Sequence, residues 1–253
     1  RESAGEGVTV AVIDTGITIH PDLQANLVDG YDFVSSPDKL PAVRQANAPP
    51  VAFDGDYIDE AAYGAVGRDA NPADPGDWRG VAPVRESSWH GTKMAGLITD
   101  VAPGASIQPI RALSWRGGLL SDIAASITWA SGGSIDGAPA NANPSKVINM
   151  SFAVEAMCPV ALQDAIDGAR ERGSILIAAG GNASDDAAKF APGNCSGVIT
   201  TASTNETGSR ADYSNYGPAI DIAAPGGDAT TPVTVASNTG ATSPGEPTRA
   251  GDF

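Results

Sequence analysis

The sequence predicts an α/β fold, a mostly parallel sheet lying between helices, and three observations lead there. Short apolar runs recur at Val8–Ile13, Ile107–Ala112, Val147–Met150, Ile175–Ala179, Val198–Ala202 and Ile220–Ala224. Runs of this length without alternation fit strands buried on both faces. Helical stripes fall between them, and strand–helix alternation with buried strands gives a parallel sheet covered on both sides. The chain has 253 residues, 42% of them hydrophobic, enough for one large domain with a sizeable core.

Val8–Ile13 closes on Asp14-Thr15-Gly16, so the first strand delivers a carboxylate at its carboxyl end, where such sheets place their chemistry. Ser35–Trp78 is rich in Pro, Gly, Ala and Asp with little periodicity and predicts an excursion of surface loops. Trp89-His90-Gly91-Thr92-Lys93-Met94-Ala95-Gly96 reads as the start of a helix packed through small residues. Leu119, Ile123, Ile127 and Ala130 predict a helix with Ser121 as N-cap; Leu162, Ala165, Ile166 and Ala169 predict another, stopping at Gly173. Thr239–Phe253 reads as loop, and the 30 glycines and 19 prolines as turn punctuation, since no repeat organises them.

Thirty acidic groups against 15 basic ones give a formal charge of −15, which repels phosphate backbones and anionic lipid heads. Nucleic acid is therefore excluded as a default partner. No apolar run reaches the ~18 residues of a membrane span, so no membrane partner is expected either. The amino terminus carries neither Met nor a leader pattern and reads as that of a mature chain. Cys158 and Cys195 are the only cysteines, and a pair alone fits a bridge or two free thiols equally.

Several polar residues are candidates for chemistry. Asp14 fits a turn cap or a carboxylate that orients a partner from a low-dielectric floor. His90 is one of two histidines; the other, His20 before Pro21, fits a satisfied structural residue. Asn182 ends a buried strand after Ala179-Gly180-Gly181, where its amide could donate to a developing oxyanion or simply serve a turn. Asp69, Asn71, Asp74 and Asp77 crowd one loop, where closely spaced oxygens suit Ca²⁺ or a solvated acidic surface.

Together these patches resemble the subtilisin-like serine proteases, especially their secreted bacterial branch. Asp14 sits in that family's aspartate box and His90 in its His-Gly-Thr box. Val147-Ile148-Asn149-Met150-Ser151, Ala179-Gly180-Gly181-Asn182, Ser214-Asn215-Tyr216-Gly217 and Asp221-Ile222-Ala223-Ala224-Pro225-Gly226 follow in the family's order, so the likeness runs from about Gly7 to Gly245. It implies a subtilisin-like three-layer sandwich and a serine endopeptidase acting on protein or peptide substrates outside the cell. It also implies the roles: His90 as base, Asp14 as its orienting partner and Asn182 as oxyanion donor. Substrate would lie along Gly117-Gly118 and Ser151-Phe152-Ala153, its primary pocket walled by the latter and by Ala179-Gly180-Gly181. A structural calcium at Asp69, Asn71, Asp74 and Asp77 and a Cys158–Cys195 disulfide come with the resemblance.

The pattern breaks at the nucleophile. The family's Gly-Thr-Ser-Met-Ala box is absent from residues 1–253, which therefore read as a single peptidase domain lacking its C-terminal part. Ser243 is no substitute, because Pro244 and Pro247 prevent it from opening a helix. The serine is expected from a continuation of the chain or a second chain, docked on a sheet face that would otherwise be exposed. A catalytically inactive, protease-shaped binding or regulatory protein is the alternative. Lys93 also departs from the family pattern, and the loop that would join Asp22 in a calcium site is missing between Ile98 and Val101. A dinucleotide-binding domain is not supported, since Asp14-Thr15-Gly16-Ile17 lacks the required glycine-rich turn.

Overall fold

A computed structural model describes residues 4–35, 68–78, 83–114 and 117–252. Most of the expected Ser35–Trp78 excursion therefore lies outside the described residues. The strands are β1 (Thr9–Asp14), β2 (Tyr31–Asp32), β3 (Ser106–Arg111), β4 (Val147–Met150), β5 (Val154–Glu155), β6 (Ile175–Ala179), β7 (Phe190–Ala191), β8 (Val198–Thr204), β9 (Ile222–Pro225), β10 (Val233–Asn238) and β11 (Pro247–Asp252). The helices are α1 (His90–Val101), α2 (Leu120–Ala130) and α3 (Val160–Glu171).

Every apolar run named above became a strand of one seven-stranded sheet, in the order β2-β3-β1-β4-β6-β8-β9. All its pairings are parallel, Val10 standing beside both Ile107 and Val147, and Ile148 beside Leu176. The pleat divides the core. Ala11, Ile13, Ile148, Met150, Leu176 and Ala178 face one side and pack with Ile127 and Ala130 of α2 and Leu162, Ile166 and Ala169 of α3. Val10, Val12 and Ile107 face the other side, against Ala95, Met94 and Ile98 of α1. Helices thus cover both faces, and the α/β architecture is as expected.

That second face is covered only in part. Ile177 pairs with Ile199, and Thr201 with Ile222, so these residues share the face on which Val147 meets α1. There Ile175 is 52% exposed, Ile199 38% and Ile222 57%. Their neighbours on the opposite face, Leu176, Ala178 and Val198, are buried.

Two local expectations need correction. Ser121 lies inside α2, not at its N-cap; the cap position is Leu119, and no side chain caps it. Thr239–Phe253 is not all loop, because Pro247–Asp252 pairs antiparallel with β10 as β11, from Asn238↔Pro247 to Val233↔Asp252. No apolar alternation marks β11 in the sequence; it is held by its ladder and by Arg249, which reaches Asp22 (2.9 Å) and Asp100 (2.6 Å). His20 is buried and satisfied, facing the Thr248 carbonyl at 2.9 Å through Nε2 and accepting from Asp22 N–H at Nδ1. Ser243 lies in the turn between β10 and β11 and opens no helix.

Candidate active site

Asp14 is the last residue of β1 and is completely buried. One carboxylate oxygen accepts the Thr15 N–H at 2.8 Å, and both oxygens lie 2.9 Å from His90 Nδ1. His90 is the first residue of α1, with its side chain 34% exposed, so the pair joins a buried charge to a ring at the surface. The two residues stand 76 apart in sequence.

Local conformation explains how they meet. Trp89 holds a left-handed backbone (φ 54°) at the N-cap of α1, a costly state for a bulky residue. Its indole is buried and donates to the Gly240 carbonyl at 2.8 Å. Gly91 allows the helix start to touch the strand end, since a Cβ there would lie 2.1 Å from the Gly16 carbonyl oxygen. Gly91 N–H donates to Thr15 Oγ1 (3.1 Å), and Thr18 N–H donates to Thr92 Oγ1 (2.9 Å). His-Gly-Thr is thus a docking sequence for a helix against a strand end.

The other expected segments leave the same edge of the sheet. Ser151-Phe152-Ala153 follows β4 and Ala179-Gly180-Gly181-Asn182 ends β6, the next two strands beyond β1 at ~5 Å apiece. Gly117 follows β3, exchanging backbone hydrogen bonds with Ser114, and Gly118 packs where a Cβ would strike the Ala112 carbonyl at 2.6 Å. A Cβ on Gly181 would come within 3.5 Å of that of Ala153, so the two segments expected to wall the pocket are neighbours. Asn182 is exposed. A carboxylate–imidazole pair, an exposed amide and extended edges share one rim, the layout needed for nucleophilic attack on a bound carbonyl.

Residues 5–250 match the subtilase family. The chain belongs to that family. An extracellular protease of Xanthomonas campestris pv. campestris is 42% identical to this subtilase over 96% of the present chain and 40% of its own length. An extracellular basic protease of Dichelobacter nodosus is 39% identical over 89% of the chain and 37% of its own. Among solved structures, a protease from Pseudoalteromonas arctica PAMC 21717 superposes with a TM-score of 0.85 at 38% identity, covering 99% of this chain and 73% of that one. The chain thus spans about two fifths of the length of these curated relatives.

Cys158 and Cys195 are bonded, tying the segment before α3 to the one before β8. The acidic loop of the subtilase, where calcium is expected, folds into a series of turns. Asp69 accepts from Asn71 N–H (2.7 Å) and Asn71 from Ala73 N–H (3.2 Å). Asp74 is buried and accepts from Thr15 Oγ1 (2.6 Å) and Gly76 N–H (2.9 Å). Asp77 accepts from Ser88 Oγ (2.9 Å) and faces Arg85 (3.1 Å). Each of these oxygens serves a turn or contact of its own. Among the described residues no group of three or more His, Cys, Asp or Glu side chains could hold a metal.

Sequence reasoning missed the part that three residues play in shaping the site. Thr15 and Asp74 form a polar prop directly behind Asp14. Asn215, inside a segment matched to the family only by order, is fully buried beneath the Asn182 loop.

Proposed function

We propose that this subtilase is the larger part of a secreted serine endopeptidase domain that hydrolyses peptide bonds in proteins. The single observation that carries the reading is the Asp14–His90 pair, in which a fully buried carboxylate holds Nδ1 of a partly exposed imidazole. With Nδ1–H donated to Asp14, Nε2 is the basic nitrogen. It takes the proton of a serine hydroxyl as Oγ bonds to the scissile carbonyl carbon, and Asp14 stabilises the resulting imidazolium. His90 then passes that proton to the leaving amine as the C–N bond breaks. Water adds to the acyl-serine by the same route, its proton going to His90 and then back to serine Oγ. Asn182 donates to the oxyanion in both tetrahedral intermediates.

The serine comes from a segment outside the numbered residues, either a continuation of this chain or a second chain. The exposed Ile175, Ile199 and Ile222 on the sheet face beside α1 support this, since an apolar helix laid there would complete the third layer. Small residues at Ser151, Ala153 and Ala179–Gly181 leave room for an apolar primary pocket. Extracellular action rests on the relatives from Xanthomonas and Dichelobacter.

Hydrolysis of a denatured protein substrate by the complete enzyme and its His90→Ala variant tests the reading. Activity that disappears with His90 supports it. Equal activity in both overturns it, and none in a folded wild type overturns it and leaves the protease-shaped binding protein.

A further inference from the structure

An oxyanion donor stabilises a transition state only if it is held where the charge will appear, so whatever fixes the Asn182 loop matters as much as Asn182 itself. That loop leaves β6 through Gly181, whose backbone is in the left-handed range at φ +105°. Residues 181–186 belong to neither helix nor strand, and the backbone hydrogen bonds with Tyr213 and Tyr216 hold residues 184–187 rather than the part nearest Asn182.

The side chain of Asn215 supplies the missing support. It is fully buried, and its amide reaches the loop on both sides of Asn182. Upstream, Nδ2 donates to the Gly180 carbonyl at 2.8 Å and the Asn215 N–H donates to the Gly181 carbonyl at 2.9 Å. Downstream, Oδ1 accepts the Ala183 N–H at 2.9 Å and the Asp185 N–H at 3.0 Å. These partners fix which end of the amide faces which way, since a carbonyl needs the NH₂ and two N–H groups need the oxygen. A Cβ on Gly181 would sit 2.4 Å from Asn215 Nδ2, so glycine is what permits the close approach. Ser214 Oγ in turn donates to the Asn215 carbonyl at 3.0 Å, anchoring the clamp from behind.

We propose that Asn215 is a positioning residue for catalysis, clamping residues 180–185 so that the Asn182 amide is preorganised toward the oxyanion. The proposal rests on the protease reading above and deepens it. No other side chain replaces this clamp. Aspartate has the same shape, but it sets an oxygen against the Gly180 carbonyl in place of the donor. Leucine leaves the N–H groups of Ala183 and Asp185 without this acceptor.

The test is a double-mutant cycle in the complete enzyme, with rates normalised by active-site titration so that only folded, competent molecules count. Asn215→Asp should lower kcat roughly tenfold or more while KM changes little, the expected result of misplacing a catalytic group. Asn215→Ser, which keeps a small polar group, serves if the aspartate variant does not fold, and should show a milder loss of the same kind. Asn182→Ala should itself lower kcat by about 10² or more. The decisive comparison is the double variant. If Asn215 acts through Asn182, Asn182→Ala/Asn215→Asp is no slower than Asn182→Ala alone. Additive losses, or a normalised kcat unchanged by Asn215→Asp while Asn182→Ala is impaired, would overturn the clamp and leave the protease reading standing. An unimpaired Asn182→Ala enzyme would overturn both the clamp and the oxyanion role of Asn182.

Discussion

Thr15 Oγ1 donates a 2.6 Å hydrogen bond to the Asp74 carboxylate while accepting the Gly91 N–H at 3.1 Å. One hydroxyl therefore links the residue after Asp14, the residue after His90 and a buried acid. Burial pushes the Asp74 carboxyl up to about 7, with the hydrogen bonds from Thr15 and Gly76 pulling the other way. An unfolded aspartate titrates near ~3.9, so between roughly pH 4 and 7 the folded chain binds the extra proton. The stability this group contributes is full below that window and is lost as pH rises through it.

Melting curves of the wild type and Asp74→Asn across pH 4 to 8 test this. The wild type should lose stability relative to the variant as pH rises, by on the order of a few kcal/mol in total. Asp32, which burial also pushes up to about 7 against the pull of Arg111, is common to both proteins and drops out of the difference. Parallel curves would show that Asp74 does not titrate in this range.

Asp14→Asn preserves the shape of the buried partner but reverses its preference for the imidazole tautomer. In the complete enzyme kcat should fall by about 10⁴, with the fold intact by circular dichroism. A loss of less than tenfold would mean that Asp14 is only a turn cap.

The Cys158–Cys195 bond closes a separation of 37 residues, which removes roughly 4 kcal/mol of chain entropy from the unfolded state. Reduction, or replacement of both cysteines by alanine, should lower the denaturation free energy by an amount of this order. Thiols that react with an alkylating reagent in the unfolded, unreduced protein would contradict the pairing.

The half-covered sheet face makes a prediction about assembly. Ile199→Glu or Ile222→Glu should cost the isolated chain under about 1 kcal/mol, because both sites are already open to water. In the complete enzyme the same changes would bury an unpaired charge and should cost 3 kcal/mol or more. Chemical denaturation of both forms reads the difference, and equal costs would mean that nothing packs there.

The acidic loop should behave as a set of turns. Asn71→Ala removes the acceptor for Ala73 N–H, and its effect on melting should be the same in excess calcium as in chelator. A loss seen only with calcium present would restore the cation site.

Much of this was legible because β1, β4 and β6 are buried on at least one face and are mostly apolar, β4 being interrupted only by Asn149. Asp14 and His90 stood out because each sits at an element boundary, where a strand end or helix start presents a side chain to a rim. β11 was hidden because Pro247-Thr248-Arg249-Ala250-Gly251-Asp252 has no apolar alternation; its pairing is a matter of backbone and of Arg249. Ser121 resembled an N-cap by type, but α2 begins one residue earlier. The roles of Asn215 and Asp74 depend on contacts across 30 to 59 residues of sequence, which no local pattern encodes. The calcium ligands were read from spacing and from the resemblance, and neither says that Asp74 and Asp77 also serve nearby N–H, hydroxyl and guanidinium groups.

The most direct measurement is fluorophosphonate labelling of the complete protein followed by peptide mapping. Asp14 and His90 as the acid–base half of a triad predict one labelled serine, located outside residues 1–253, with labelling lost in His90→Ala. No label on the folded protein, or label on a serine within these residues such as Ser243, would contradict that assignment.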